Sequence, residues 1–302
     1  MNARNQIISE IINDLESYKG NNKYAIEENI IFFNSVKSRI TFLKWLFFRA
    51  PNIDSSRLKE LNDFPFSKWE RELHIKLMEM ERKKFPGMIE PLKQRLIEFI
   101  LKEKPKVIVD LGSGAMEIDR QVLEELVRQN YKEKLIIIGI DKSSIAHELS
   151  KNNLADLQDY VEIIEADILT EETIDNYRSG EKNLTVILCK NNIFSLDKDF
   201  KNSLFDLIFY SKFRHHLNGD EKEKLDYIVK KIGKKCIEYD DYKSWLLMIP
   251  QSLATWNSLV LMNGAIFSRL RDLTKQELID RTKDNQEIYF FKVGSYLLET
   301  KN

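Results

Sequence analysis

From Lys106 onward, the sequence alternates between short runs of almost wholly apolar residues and longer amphipathic stretches. The amphipathic stretches, MEIDRQVLEELVRQN and DEKEKLDYIVKKI, repeat their apolar residues at the 3.6-residue spacing of an α-helix. Apolar strands without polar alternation occur in parallel sheets whose two faces are both covered by helices. The runs are KVIVDLG, LIIIGID, VEIIEAD, FDLIFYS and KKCIEYDD. We therefore predict an α/β fold, doubly wound around a mostly parallel sheet of the seven-stranded type.

Two further segments add strands to this sheet. NLTVILCKNNIFSL lies between the third and fourth runs and predicts one extra strand, which we interpret as part of a hairpin at the sheet edge. EIYFFKVGSYLLETK predicts two strands that meet near Val293 and Gly294. This pattern is typical of an antiparallel C-terminal hairpin that closes the sheet.

The first hundred residues read differently, because helical periodicity continues without a β-branched run. QIISEIINDL and PGMIEPLKQRLIEFILKE both carry apolar residues at helical spacing. A chain of 302 residues is long enough for one α/β core and a smaller appended unit. We therefore predict a helical N-terminal segment, residues 1–100, and an α/β domain, residues 101–302.

Composition excludes several classes of protein. With 47 Lys and Arg against 48 Asp and Glu, the charge pattern gives no reason to expect nucleic acid or an anionic membrane as partner. Cys189 and Cys236 lack metal-ligand spacing, which favours two reduced core cysteines and no metal site. The N-terminus lacks the apolar region of a secretory signal, so we expect a cytoplasmic protein.

One charge-free segment tests the expectation that no part of the chain spans a membrane. It reads SWLLMIPQSLATWNSLVLMNGAIFS, between Lys243 and Arg269. Pro250, Asn257 and other polar residues interrupt it and would be costly in hydrocarbon. We expect a helix buried between two protein layers.

The strongest local motif is VIVDLGSGAMEIDRQVLEEL, in which a strand runs through Asp110 into a glycine turn and then into a helix. Glycines at 112 and 114 let the backbone approach a ligand closely at the carboxyl edge of the sheet. A dinucleotide-binding GxGxxG motif would require glycine at 117, where this chain has Glu117. A carboxylate there would repel a pyrophosphate but suits a cationic ligand.

Two later runs also end in an acid. Asp141 ends LIIIGID, where a carboxylate can accept hydrogen bonds from both hydroxyls of a ribose. Asp167 ends VEIIEAD, where it could accept a hydrogen bond from the amino group of an adenine while Ile168 packs on the ring. Each acid is alternatively a strand-end cap or turn residue. Three such acids at successive strand ends favour a nucleoside site.

Together these motifs resemble the class I SAM-dependent methyltransferases (SAM, S-adenosylmethionine), over roughly residues 105 to 245. The resemblance implies SAM as cofactor and S-adenosylhomocysteine (SAH) as product. It also implies that the glycine turn holds the methionine part of SAM, Asp141 the ribose and Asp167 the adenine. The chain departs from the family at Met116, where the usual loop has a third glycine. The implied cofactor-binding residues are Asp110, Gly112, Ser113, Gly114, Asp141, Lys142, Asp167, Ile168 and Tyr210.

The run FDLIFYSKFRHHL should end beside the transferred methyl group. The resemblance places Tyr210 there, with His215 and His216 opening the next segment. A histidine suits the removal of a proton from an acceptor, so these three residues are the candidate catalytic residues. Either histidine is alternatively a helix cap or a packing residue. The run lacks the Asn/Asp-Pro-Pro-Tyr signature of many nucleic-acid amino-methyltransferases.

The fifth run leaves Glu238, Asp240 and Asp241 near the same sheet edge, where they could hold an amine-bearing acceptor or remain solvated. The function we expect is methylation of a small-molecule acceptor, with the helical N-terminal segment as a cap that selects it. An RNA or protein methyltransferase is one alternative. A non-catalytic binding protein that keeps the fold is another.

Overall fold

The computed structural model describes most of the chain from Gly87 to Lys301. Within that span it leaves out residues 167–168, 179–181, 199, 201–203, 218, 245–246, 248–268, 270–271 and 293. The described residues up to Tyr242 and from Leu273 onward belong to one compact unit, and those from Lys243 to Asp272 to another. The helices predicted before Gly87 and most of the charge-free segment lie outside the described residues, so the domain boundary at residue 100 stays a prediction.

Eight strands, numbered in chain order, form a single sheet. Their order across the sheet is β3-β4-β2-β1-β5-β6-β8-β7, parallel from β3 to β6 and antiparallel in the last two pairs. The predicted α/β fold with an antiparallel C-terminal hairpin is therefore confirmed. The strands are β1 Val107–Leu111, β2 Leu135–Ile140, β3 Val161–Ala166, β4 Leu184–Cys189, β5 Leu207–Ser211, β6 Lys235–Asp241, β7 Gln286–Phe290 and β8 Ser295–Lys301.

Helices cover both faces of the sheet. Alternate residues of each strand point to opposite faces, and apolar side chains pack against helices on both. Ile108 packs in one apolar cluster with residues of the first two helices, and its neighbour Val109 packs in a second cluster with α5. No helix of the described residues is long and apolar enough to cross a membrane. The helices are α1 Glu90–Glu103, α2 Glu117–Arg128, α3 Ser144–Leu154, α4 Glu171–Arg178, α5 Gly219–Ile232 and α6 Lys275–Arg281.

The segment NLTVILCKNNIFSL does form an extra strand, β4, but its predicted place at the sheet edge is wrong. β4 lies inside the sheet, parallel to β2 on one side and to β3 on the other. All six of its residues are buried, whereas β3 carries Glu162 and Glu165 and is only partly buried. Charged residues suit an edge strand, so the more apolar run occupies the interior.

The C-terminal hairpin closes as predicted. Gly294 adopts a φ of 83°, and its N–H donates to the carbonyl of Phe291 at 3.1 Å. β8 pairs with β6 along its whole length, which leaves β7 at the outer edge.

Candidate active site

A glycine turn connects β1 to α2 at the carboxyl edge of the sheet. Gly112 and Gly114 have φ values of 71° and 53°, in the left-handed region that favours glycine. A Cβ on Gly112 would lie 2.5 Å from the ring of Phe213, so this position accepts no larger residue. A Cβ on Gly114 would meet nothing within 4 Å. Gly114 therefore faces open space that a ligand can enter.

Asp141 follows β2 and is bonded to this turn. One carboxylate oxygen accepts the N–H of Gly114 at 3.0 Å, and the other accepts the N–H of Ser143 at 2.8 Å. The N–H of Gly112 donates to the carbonyl of Ile140 at 2.8 Å. The structure thus brings the glycine turn and Asp141 together at one edge, and Lys142 lies exposed beside them.

Helix α3 holds the turn from the other side. Ser150 donates to the carbonyl of Gly114 at 3.0 Å. The Asn153 amide donates to the carbonyl of Ala115 at 2.9 Å and to Glu117 at 2.7 Å. Neither residue was a candidate from the sequence, although their spacing places them on one face of a helix.

Met116 occupies the position of the family's third glycine. It has a φ of 54° and a fully buried side chain. A Cβ on Gly139 of β2 would lie 2.7 Å from the Met116 sulfur. The glycine in β2 therefore makes room for the methionine in the turn.

Two buried carboxyl groups lie behind the turn. Asp110 of β1 and Asp119 of α2 are 4% and 1% exposed, and they are hydrogen-bonded to each other. Burial, followed by the charges of Asp119 and Asp141, raises the pKa of Asp110 well above its usual range. Burial raises the pKa of Asp119 to about 6, against the opposing effect of its bond to Asp110. Asp119 was not a sequence candidate.

The end of β5 carries a buried polar network. The hydroxyl of Tyr210 donates to Glu238 at 2.8 Å, and Tyr296 donates to the other oxygen of Glu238. Arg214 lies 3.8 Å from Glu238 and forms a bidentate ion pair with Asp226. Burial raises the pKa of Tyr210 well above its usual range, and the charge of Glu238 adds to the effect. Tyr210 is therefore a neutral hydrogen-bond donor at neutral pH.

His215 forms a second buried pair. Its Nδ1 lies 2.8 Å from Asp240, and the two side chains are 3% and 1% exposed. Burial would raise the pKa of Asp240, but the effects of His215 and Lys212 outweigh it and lower the pKa to about 2. His216 is half-buried, with its ring centroid 4.1 Å from that of His215.

The three acids of the fifth run are therefore buried and bonded to protein groups, rather than solvated. Glu238 contacts Tyr210, Asp240 contacts His215, and Asp241 forms an ion pair with Lys212. Burial acts to lower the pKa of Lys212, but the neighbouring Asp241 and Asp240 raise it overall.

Asp167 and Ile168, the predicted adenine contacts, lie outside the described residues. They follow β3, and β4 separates β3 from β2. The residues that follow the strand next to β2 are Lys190, Asn191 and Asn192.

The residues at this edge fit SAM. The turn offers open space at Gly114, which a Cβ would occupy. Oδ2 of Asp119 is buried without a hydrogen-bond partner. Carboxylates are the natural partners of an ammonium group and of ribose hydroxyls, and SAM carries no phosphate for them to repel.

The sheet, its strand order around β1 and the glycine turn define the class I, Rossmann-like methyltransferase fold, and the likeness to one solved structure confirms the fold. No family model and no curated protein matches the sequence. A candidate O-methyltransferase from Nostoc punctiforme superposes with a TM-score of 0.50 at 15% identity, over 91% of this chain and 72% of that one. At this identity the likeness shows the fold.

Two other solved structures superpose on this chain with lower TM-scores. The plantazolicin methyltransferase BpumL in complex with SAH has a TM-score of 0.45 at 11% identity, over 98% of this chain and 99% of that one. The methyltransferase domain of bacterial CtHen1 has a TM-score of 0.44 at 14% identity, over 72% of this chain and all of that one.

Proposed function

We propose that the protein is a SAM-dependent methyltransferase that acts on a small-molecule acceptor. The observation that carries the proposal is the bond between Asp141 and the N–H of Gly114, which joins the ends of β1 and β2 into one ligand-binding edge. The balanced charge of the chain and the absence of an Asn/Asp-Pro-Pro-Tyr sequence after β5 support a small-molecule acceptor.

When bound, SAM would supply a methyl group activated by its sulfonium. The turn from Gly112 through Ser113 to Gly114 would lie along the methionine part. Each oxygen of Asp141 accepts one backbone N–H and keeps a second lone pair, so both can accept ribose hydroxyls. Lys142 lies at the same edge, where its stem would cover the nucleoside.

The adenine contact has two candidates in this proposal. Asp167 and Ile168 are implied by the family resemblance. The strand order favours Asn191, because it follows the strand that neighbours β2. An asparagine amide can bond adenine through both its N6 and N7 atoms.

His215 is the proposed general base, because Asp240 can hold its ring in one tautomer and stabilise its protonated form. His216 would contact the acceptor from the adjacent position. The Tyr210 hydroxyl is hydrogen-bonded to Glu238, so its proposed role is to position the end of β5 beside the methyl group. We further propose that residues 1–100 cap the acceptor site.

Isothermal titration with SAH and SAM tests the proposal. Wild-type protein should bind both with sub-millimolar Kd. Gly114→Ala should weaken binding strongly, because its methyl group enters the open space beside the turn in a strained backbone conformation. Gly87→Ala is the matched control, since it also lies in open space but without a positive φ. Absence of binding to the wild-type protein would contradict the proposal.

A further inference from the structure

The buried side chain of Asp119 has a free hydrogen-bonding position. The residue is 1% exposed and bonds Asp110 through one side of its carboxyl group. Its Oδ2 atom has no partner. A buried polar atom without a partner costs stability, so its presence calls for an explanation such as a ligand group that completes it.

The charged groups that act on this carboxyl pair are all acidic. The charged groups that act on Asp110 are Asp119 and Asp141, and the group that acts on Asp119 is Asp110. Among the described residues, no Lys, Arg or His contributes to either pKa. Two adjacent buried carboxyl groups cannot both ionise without a nearby cation, so the pair retains a shared proton.

The position of the pair connects it to the glycine turn. Asp110 lies two residues before Gly112, and Asp119 lies in the first turn of α2, directly after the turn ends at Met116. The pair therefore adjoins the turn at both of its ends, at the end of β1 and at the start of α2. Replacing the two acids by apolar residues would be less costly for folding alone, which argues for a binding role.

We propose that Asp119, with Asp110, binds the primary ammonium group of the methyl donor's amino-acid part, and that the pair releases its shared proton as this cation binds. The inference rests on the proposed function and extends it to a residue outside the glycine motif.

The proton balance is simple. Before binding, the pair carries one proton and one negative charge. After binding, both carboxylates accept hydrogen bonds from the ligand's ammonium, and the proton passes to the buffer. No bond in the ligand changes.

The ligand comparison separates this inference from the proposed function. SAH carries the ammonium group, whereas 5′-methylthioadenosine has the same nucleoside thioether without it. We expect Asp119→Asn to weaken SAH binding by about tenfold or more at pH 6.5, because a charged hydrogen bond is lost. Binding of 5′-methylthioadenosine should stay within about twofold of wild type. Glu124→Gln, which removes an exposed acid from the same helix, should alter neither affinity.

A titration of the wild-type protein gives a second test that needs no variant. Binding enthalpies measured at pH 6.5 in buffers of different ionisation enthalpy report the number of protons released. At this pH the ligand amine is already protonated, since its ordinary pKa lies near ~8. SAH should release up to one proton, and 5′-methylthioadenosine close to none.

The outcomes are distinct. Equal proton release by the two ligands, or equal loss of both affinities in Asp119→Asn, would overturn the role of Asp119 and leave the proposed function standing. Unchanged SAH affinity in that variant would overturn it too. If the wild-type protein bound neither ligand, the proposed function itself would fail.

Discussion

The side chain of Asp141 holds the backbone of the turn and is also the proposed ribose ligand. Its two oxygens hold the backbone N–H groups of Gly114 and Ser143, which fixes the turn and the start of α3. Each oxygen keeps a second lone pair, which is available for the proposed bond to the ribose. A carboxylate can do both because each oxygen accepts two hydrogen bonds.

Asp141→Ala should therefore lower both stability and affinity. We expect SAH binding to weaken by on the order of 2 kcal/mol, because paired hydrogen bonds to ribose are lost. The melting temperature of the free protein should also fall, because Gly114 loses its acceptor. Titration calorimetry and thermal unfolding measure the two effects, with the exposed Asp159→Ala as control. Unchanged affinity in folded Asp141→Ala would refute the ribose assignment.

The two adjacent histidines should differ in their effect on folding. His215→Ala leaves Asp240 buried without its main partner, which costs on the order of 3 kcal/mol in the free energy of unfolding. His216→Ala removes a half-buried ring and should cost clearly less. Urea unfolding of both variants checks this order. Equal losses would show that the His215–Asp240 pair contributes little.

Met116 and Gly139 should behave as a coupled pair. Gly139→Ala alone should cost about 1 to 3 kcal/mol, because its methyl group overlaps the Met116 sulfur. Met116→Gly alone should be destabilising because it leaves a cavity, although it relieves the left-handed backbone. The double variant should lose less stability than the sum of the two single losses, with a coupling free energy of about 1 kcal/mol. Additive losses in urea unfolding would contradict the packing explanation.

The sequence predicted Asp110, Gly112 and Asp141 because each depends on local chain order, a strand followed by a turn. It did not single out Asp119. An acid in the first turn of a helix is ordinarily explained by its favourable interaction with the helix dipole. Only the packing of α2 on β1 reveals that this acid is buried against another.

At the level of elements, the sequence predicted which runs form strands but not their order. Strand identity follows from continuous apolar residues, whereas order depends on competition between strands for the interior. LTVILC has no charged residue and VEIIEA has two, which is why β4 lies inside and β3 at the edge. That comparison of composition was available in the sequence and would have indicated which of the two strands lies at the edge.

The strand order leads to a prediction about the adenine contact. If Asn191 replaces the family's acid, Asn191→Ala should weaken binding of 5′-methylthioadenosine by about tenfold, and Asp167→Ala should have little effect. Titration calorimetry of both variants decides between them. The reverse result would assign adenine to Asp167, as the family resemblance implies.

At the scale of the whole molecule, the acids of the site act on stability in opposite directions. Asp240 has a pKa of about 2, below its unfolded value, so its contribution is present above pH 4 and is lost only in strong acid. The pKa of Asp119 is about 6, above its unfolded value of 3.8. The folded state therefore binds more protons at this group, and stability falls as pH rises from 3.8 to about 6.

Asp119→Asn should remove this penalty while harming binding. Near pH 4 the variant and the wild type should have similar free energies of unfolding, and above pH 6 the variant should be more stable by on the order of 3 kcal/mol.

A ligand at 100 times its Kd adds about 2.7 kcal/mol, so saturating SAH should raise the wild-type melting temperature clearly. At the same SAH concentration the variant should gain less, because its Kd is higher. Thermal unfolding between pH 4 and 8, with Glu124→Gln as control, measures both effects. Parallel pH profiles for variant and wild type would show that Asp119 carries no buried charge. The expected result is a variant that is more stable without ligand but less stabilised by SAH. That result would show that the carboxyl pair binds the ligand at a cost to the stability of the fold.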